Sequence, residues 1–223
     1  MTQTQVVKRV LKPIVFMVAL APAALLVFDG SVRAFGPNPI EEVTHRTGIA
    51  AIVLLVVTLA ITPLRKVLRV GALVRFRRML GLFAFFYASL HVMTYTVDQT
   101  YLSGLGVSPA AIIEDILDRP YITMGFVAFL LLVPLAVTST RGWVRRLGGK
   151  RWQLLHRLAY VAAVAASVHF LWLVKADITR PLVVAGTLAV LLGQRMGSKL
   201  IGRRRPAPFQ AFEGSSSGSI TPM

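Results

Sequence analysis

Apolar runs of helix length recur along this chain, at Ile14 to Phe28, Thr47 to Thr62, Met79 to Val97, Tyr121 to Thr138, Leu158 to Val174 and Leu182 to Ile201. A membrane crossing needs roughly 17 to 25 such residues, which several of these runs supply. The first falls short unless it is extended back past Pro13. With 55% hydrophobic against 15% charged residues, the chain lies outside the balance of a soluble domain. The expected fold class is an all-α integral membrane protein, a bundle of six transmembrane helices. Pro63 is expected to end the second span and Pro134 to kink the fourth. Lys8, Arg9 and Lys12 ahead of an apolar run also fit a secretory leader cut near Ala21-Pro22-Ala23. The run continues to Phe28, which favours an uncleaved first span.

Charge gives the orientation. Every Lys and Arg except Arg33, Arg46, Arg119, Lys175 and Arg180 falls at the N-terminus, between the second and third spans, between the fourth and fifth, or from Arg195 onward at the far end of the sixth. Eight of the nine acids lie in the opposite segments: Asp29, Glu41, Glu42, Asp98, Glu114, Asp115, Asp118 and Asp177. By the positive-inside rule both termini are cytoplasmic. The formal net charge of +16 then reports topology and contact with anionic membrane lipid, and no nucleic-acid partner is expected.

Other chemistries drop out. Without cysteine there is no disulfide, thiolate nucleophile, iron–sulfur cluster or covalent haem attachment. Neither a G-x-G-x-x-G after a strand nor a P-loop is present. No soluble nucleotide domain is expected, so an electron donor would be a quinone, a flavin or another protein.

Two of the four histidines, His91 and His169, sit deep in apolar runs. Ionisable groups there are costly and normally pair or hold a ligand. His91 lies seven residues before Asp98 and His169 six before Lys175. At about 1.5 Å per residue both imidazoles sit about 9 to 11 Å inside the outer helix ends. Two nitrogens at one level, on separate spans, are what a haem iron needs above and below its plane. One haem b held by His91 and His169 is the expectation, against the plainer reading of two hydrogen-bonded bundle histidines.

His156 precedes His169 by thirteen residues on what reads as one helix. At about 100° per residue the two side chains would differ by about 220°, so they point to different faces unless a π-bulge intervenes. The residue thirteen before His91 is Arg78. One haem is therefore better supported than two, and His156 with Arg78 becomes a candidate quinone, flavin or second-haem site, or simply an interfacial hydrogen-bonding pair. His45 and Arg46, at the outer start of the second span, are candidates for a haem propionate or for a helix cap. Trp152 and Trp172 are placed as interfacial aromatics.

Between the third and fourth spans, SPAAIIEDILD predicts a short amphipathic helix with Ile112, Ile113, Ile116 and Leu117 on one side, and Ser108 and Pro109 as cap and first turn. It would lie on the outer membrane surface or serve as a docking platform. The tail from 206 to 223 is rich in Pro, Gly and Ser and reads as disordered.

The stretches GPNPIEEVTHRTG, LAITPLRK, RFRRMLGLFAFFYASLHVMTY, DRPYITMG and AVTSTRGWVRRLGGKRWQLLHRLAYVAAVAASVHFLW resemble the MsrQ family, haem-binding membrane subunits of a periplasmic methionine-sulfoxide reductase system. That family lies within the ferric-reductase-like transmembrane group, which includes the NADPH oxidases. The likeness runs from about Gly36 to Val174. It implies a haem b protein of the bacterial inner membrane, with residues 1–205 as the transmembrane domain. It further implies electrons taken from the quinone pool and passed to a periplasmic molybdopterin subunit in a heterodimer. That partner would repair methionine sulfoxide. FMN is also implied, with His91 and His169 as the haem histidines and His156 a third match. The second histidine pair and the dehydrogenase domain of the wider group are missing here. The alternatives are a stand-alone ferric or quinone reductase, and a non-redox transporter or scaffold.

Overall fold

The computed structural model describes residue 5, residues 7–103 and residues 109–203. Among the described residues there are eight α-helices and no strand. A π-helical turn, Val7–Leu11, leads into α1 (Lys12–Ser31), followed by α2 (Pro39–Val67), α3 (Val74–Ser103), α4 (Pro109–Asp118) and α5 (Pro120–Val137). Then come α6 (Arg141–Leu155), α7 (Leu158–Leu173) and α8 (Thr179–Arg203). Ser108 and the tail after Arg205 lie outside the described residues.

Four of these helices are long and apolar enough to cross a membrane, and α6 with α7, bent by 42°, supply a fifth crossing if they form one span. α8 stands where a sixth span was expected, but Gln194 and Arg195 interrupt its apolar run. Large apolar side chains point outward over much of the surface, Val27 and Val67 among the most exposed. In water such a surface would be a liability; against lipid it is the ordinary outer face of a bundle.

Local chemistry explains the helix ends. α2 starts at Asn38, whose Oδ1 accepts from the Glu41 N–H at 3.3 Å while its Nδ2 donates to the Glu41 carboxylate at 3.0 Å, a reciprocal cap. Pro39 follows at the first helical position, where its missing N–H is no loss. Glu41 and Glu42 in the first turn, with Arg65 and Lys66 in the last, complement the helix dipole. Contrary to expectation, Pro63 does not end this helix, which continues to Val67. A proline near the C-terminus removes a single backbone bond. The stop comes instead where Arg69 turns left-handed with φ 55°, a conformation that cannot propagate a right-handed helix.

The bundle is built from two antiparallel hairpins, α2 with α3 and α5 with α7, which make the two most extensive helix contacts. Their shared core holds Leu55 and Leu59 of α2, Ala84 of α3, Leu132 of α5 and Ala162 and Ala163 of α7, closed by Leu188 of α8. Ala84 and Ala162 are fully buried. Small residues at helix contacts let backbones approach, which drives association where the hydrophobic effect between helices is absent.

α1 packs on the outside of this core through Ala19, against Ile61, Phe76 and Leu80. Tyr87, fully buried, reaches from α3 into the α1 backbone. Its hydroxyl donates to the Ala19 carbonyl at 2.8 Å and accepts from the Ala23 N–H at 3.1 Å. It thus interrupts an i→i−4 bond one residue after Pro22, as an inserted water would.

The short helix α4 forms as expected, with its apolar residues on one side that only partly meets the bundle. Ile116 is buried and Ile112 half-buried, whereas Ile113 and Leu117 are exposed. At about 100° per residue the four share one side, an arc of about 140°, of which the i, i+4 pair Ile112 and Ile116 faces the bundle and Ile113 and Leu117 form the outward edge. The Tyr95 hydroxyl donates to the Asp115 carboxylate, and Arg119 pairs with Asp115 at 2.9 Å. These contacts fasten α4 between α3 and α5 at the acid-rich end of the bundle.

Candidate functional site

The two hairpins build one site by repeating one arrangement. In the first, α3 carries His91, whose Nδ1 lies 2.8 Å from the Thr44 carbonyl on α2. In the second, α7 carries His169, whose Nδ1 lies 2.6 Å from the Tyr121 carbonyl on α5. The acceptor precedes its histidine by 47 residues in one case and 48 in the other. A carbonyl only accepts, so each Nδ1 carries the proton and each Nε2 keeps a lone pair. That is the tautomer and second-sphere bond of a metal-binding histidine.

Four residues after each acceptor stands a glycine. A Cβ added to Gly48 would sit 2.9 Å from Nδ1 of His91, and one added to Gly125 would sit 2.8 Å from Nδ1 of His169. No real side chain fits at those distances, so both imidazoles lie in notches that only glycine leaves open.

Between the hairpins the two rings face one another with centroids 6.1 Å apart and planes inclined at 72°. Two imidazole nitrogens, each about 2 Å from a shared metal, would put the centroids about 6 Å apart. Among the described residues no cluster of three or more His, Cys, Asp or Glu could hold a metal ion by itself. A two-imidazole site suits an iron whose other four ligands come from a porphyrin, and the residues present fit that group.

Of the remaining candidates, His45 adjoins Thr44 and lies within electrostatic range of His91, whereas His156 lies apart from the pair. His156 is not on one continuous helix with His169, as the sequence suggested. It caps α6 at the break before α7, so ideal-helix angle counting between the two does not apply. Its ring stacks on Trp152 with centroids 3.9 Å apart, and its Nδ1 lies 3.1 Å from the Trp152 carbonyl. Trp152 in turn donates Nε1–H to the Thr138 carbonyl at 2.9 Å. Nε2 of His156 is buried with no hydrogen-bond partner. Arg78, its expected neighbour, is exposed; the cation within electrostatic range of His156 is Arg77.

His45 is exposed. Arg46 is bound to the Asp29 and Glu42 carboxylates and lies over the Phe35 ring, 5.8 Å from its centroid. That guanidinium ties the end of α1 to the start of α2. Sequence reasoning missed Thr44, Gly48, Tyr121 and Gly125. The legible trace was a glycine interrupting each apolar run, four residues after a residue whose side chain is irrelevant, since only its carbonyl acts.

Residues 47–167 match the family described as ferric reductase like transmembrane component. A protein-methionine-sulfoxide reductase heme-binding subunit MsrQ from Xanthomonas euvesicatoria pv. vesicatoria is 51% identical over 88% of this chain and 90% of its own length. The chain belongs to the MsrQ family. The MsrQ of Xanthomonas oryzae pv. oryzae is 50% identical over 94% of this chain and 97% of its own. That of Ralstonia nicotianae is 45% identical over 89% and 90%. The match to the broader family covers both hairpins from Thr47 onward and includes His91 and His156, while His169 falls just beyond it. The MsrQ relatives extend the likeness over most of the chain.

Proposed function

We propose that this protein is a membrane electron-transfer subunit of a methionine-sulfoxide reductase system, holding one haem b between His91 and His169. The observation that carries this reading is the pair of imidazoles facing at 6.1 Å, each with Nδ1 committed to a backbone carbonyl and Nε2 left for a metal. Its relatives are named heme-binding subunits. When bound, a haem b would supply one-electron redox chemistry at its iron. The chain's part is to fix the axial ligands, orient them through Thr44 and Tyr121, and surround them with a low-dielectric shell, all levers on potential.

In this reading the basic end of the bundle is cytoplasmic, as are both termini. The helices cross the bacterial inner membrane six times, with α8 as the last crossing. Electrons from quinone or a flavin donor arrive near His156, whose buried Nε2 has no hydrogen-bond partner in the protein and would bond to the quinone or flavin on that side. They leave at the acid-rich end to a periplasmic molybdopterin subunit that reduces methionine sulfoxide, in a heterodimer. FMN joins this reading through the family likeness alone.

An optical spectrum of the purified protein before and after chemical reduction is the direct test. Split visible bands of low-spin haem at one equivalent per chain are expected; a colourless protein would leave only the transporter or scaffold alternative. Transfer of electrons to a methionine-sulfoxide-reducing molybdoenzyme separates the proposal from a stand-alone reductase. Equal rates with ferric chelates alone would favour the latter.

A further inference from the structure

The two histidines are held by more than their hydrogen bonds, and the geometry of Gly48 and Gly125 points to what the notches determine. We propose that these glycines are positioning residues that, with the Thr44 and Tyr121 carbonyls, hold the two axial imidazole planes nearly perpendicular and so set the electronic character of the iron. The proposal rests on the bis-histidine haem reading above.

Each imidazole has one soft motion once Nε2 is fixed, rotation about its own long axis. The Nδ1–H bond to the carbonyl opposes that rotation on one side, and the glycine backbone packs against the ring on the other. With both acting, the plane angle of 72° is imposed by the hairpins. The two notches differ in a way that predicts different outcomes. At Gly48 an added Cβ would crowd Nδ1 and Cε1 at 2.9 and 3.0 Å but stand 3.6 Å from Cγ. The His91 ring can turn that edge away, giving up its bond to Thr44. At Gly125 the distances to Nδ1, Cε1 and Cγ are 2.8, 2.9 and 3.0 Å. There the Cβ lies against the body of the ring, so rotation gives no relief and His169 must shift as a whole.

Electron paramagnetic resonance of the full-length, haem-loaded ferric protein reads the plane angle. Near-perpendicular imidazoles leave two iron orbitals close in energy and give a strongly anisotropic low-spin signal. Parallel planes give a rhombic three-line one. The unmodified protein is expected to show the anisotropic form, and a rhombic spectrum would overturn the proposal without touching the haem assignment. Gly48→Ala should keep its haem while the signal moves toward the rhombic type and the midpoint potential shifts. Gly125→Ala should lose haem or become partly high-spin. Gly81→Ala, where a Cβ would meet Thr58 Cγ2 at an ordinary 3.6 Å, should change neither. An unchanged signal in Gly48→Ala rejects the positioning role.

If the alanine variants do not accumulate, His91→Gly supplied with free ligand replaces them. Imidazole, which can donate to Thr44, should restore the low-spin spectrum better than 1-methylimidazole, and equal restoration would count against the proposal. Failure of the unmodified protein to bind haem would instead overturn the parent reading.

Discussion

The two ends of the bundle hold histidines in opposite circumstances. At the acid-rich end His91 and His169 face each other, each braced by a carbonyl from the neighbouring helix and seated against a glycine. At the basic end His156 stands without an imidazole partner, braced by the carbonyl and the stacked ring of Trp152 one turn earlier in its own helix, with an arginine within electrostatic range. A ligand pair needs both hairpins to contribute at the same height. Where the second hairpin supplies His156, the first supplies the cation Arg77. The difference teaches that what suits a buried imidazole to hold a metal is what faces it, more than burial itself.

The sharpest way to break this comparison is to delete histidines one at a time. His91→Ala and His169→Ala should each abolish the low-spin bands, because a single imidazole leaves one face of the iron unligated. His156→Ala should retain the haem of the paired site while slowing reduction from the donor side. His45→Ala, at an exposed position, should leave haem content unchanged. Haem quantified per chain after purification decides all four. If His156→Ala emptied the protein as completely as His91→Ala, the two ends would not be distinct sites.

How far the sequence alone reached follows the same division. The helices and their order were legible because lipid demands long apolar runs, and the matched depth of His91 and His169 followed from counting residues to flanking charges. The break at His156 was hidden. WQLLHRLAYV carries no proline or glycine to mark it, and Gly148, the nearest residue with a left-handed φ of 73°, lies eight positions earlier. The carbonyls of Thr44 and Tyr121 were invisible because any residue offers a carbonyl; only tertiary placement selects these two. Pro63 misled because a proline disturbs a helix through one lost bond and one clash at the carbonyl four residues back, and a membrane helix packed against its neighbours absorbs both.

A second contrast lies in how α1 and α4 are attached. α4 is fastened by a charged group: Asp115 accepts from Tyr95, one turn beyond His91, and pairs with Arg119, two residues before the Tyr121 carbonyl that holds His169. Asp115→Ala removes both links together. Hydrogen bonds to charged groups contribute about 1.5–3 kcal/mol, and the half-exposed Arg119 pair adds little. Local opening of α4 should therefore become easier by about that amount, read as faster hydrogen exchange across Pro109–Asp118. The haem potential should shift as water reaches the outer edge of the site. Unchanged exchange would show that Ile112 and Ile116 alone hold this helix.

α1 is tied at its outer end by the Asp29 carboxylate to Arg46, but its middle is attached through a neutral hydroxyl and a single buried alanine, so Tyr87→Phe sharpens the comparison from the weaker side. Two bonds are lost, from Tyr87 to the Ala19 carbonyl and from the Ala23 N–H to Tyr87. Left as orphans, two buried backbone groups would cost about 1–3 kcal/mol each. They are, however, natural partners: once the hydroxyl is gone, the Ala23 N–H can reach the Ala19 carbonyl directly, restoring the i→i−4 bond of an unbroken helix. The net loss should then be about 1 kcal/mol, that of one ordinary hydrogen bond, measured by denaturation in micelles, with haem content unchanged. A loss near the full orphan cost would mean that Pro22 prevents α1 from closing the gap. In that case the tyrosine is what lets a proline sit in the middle of this span.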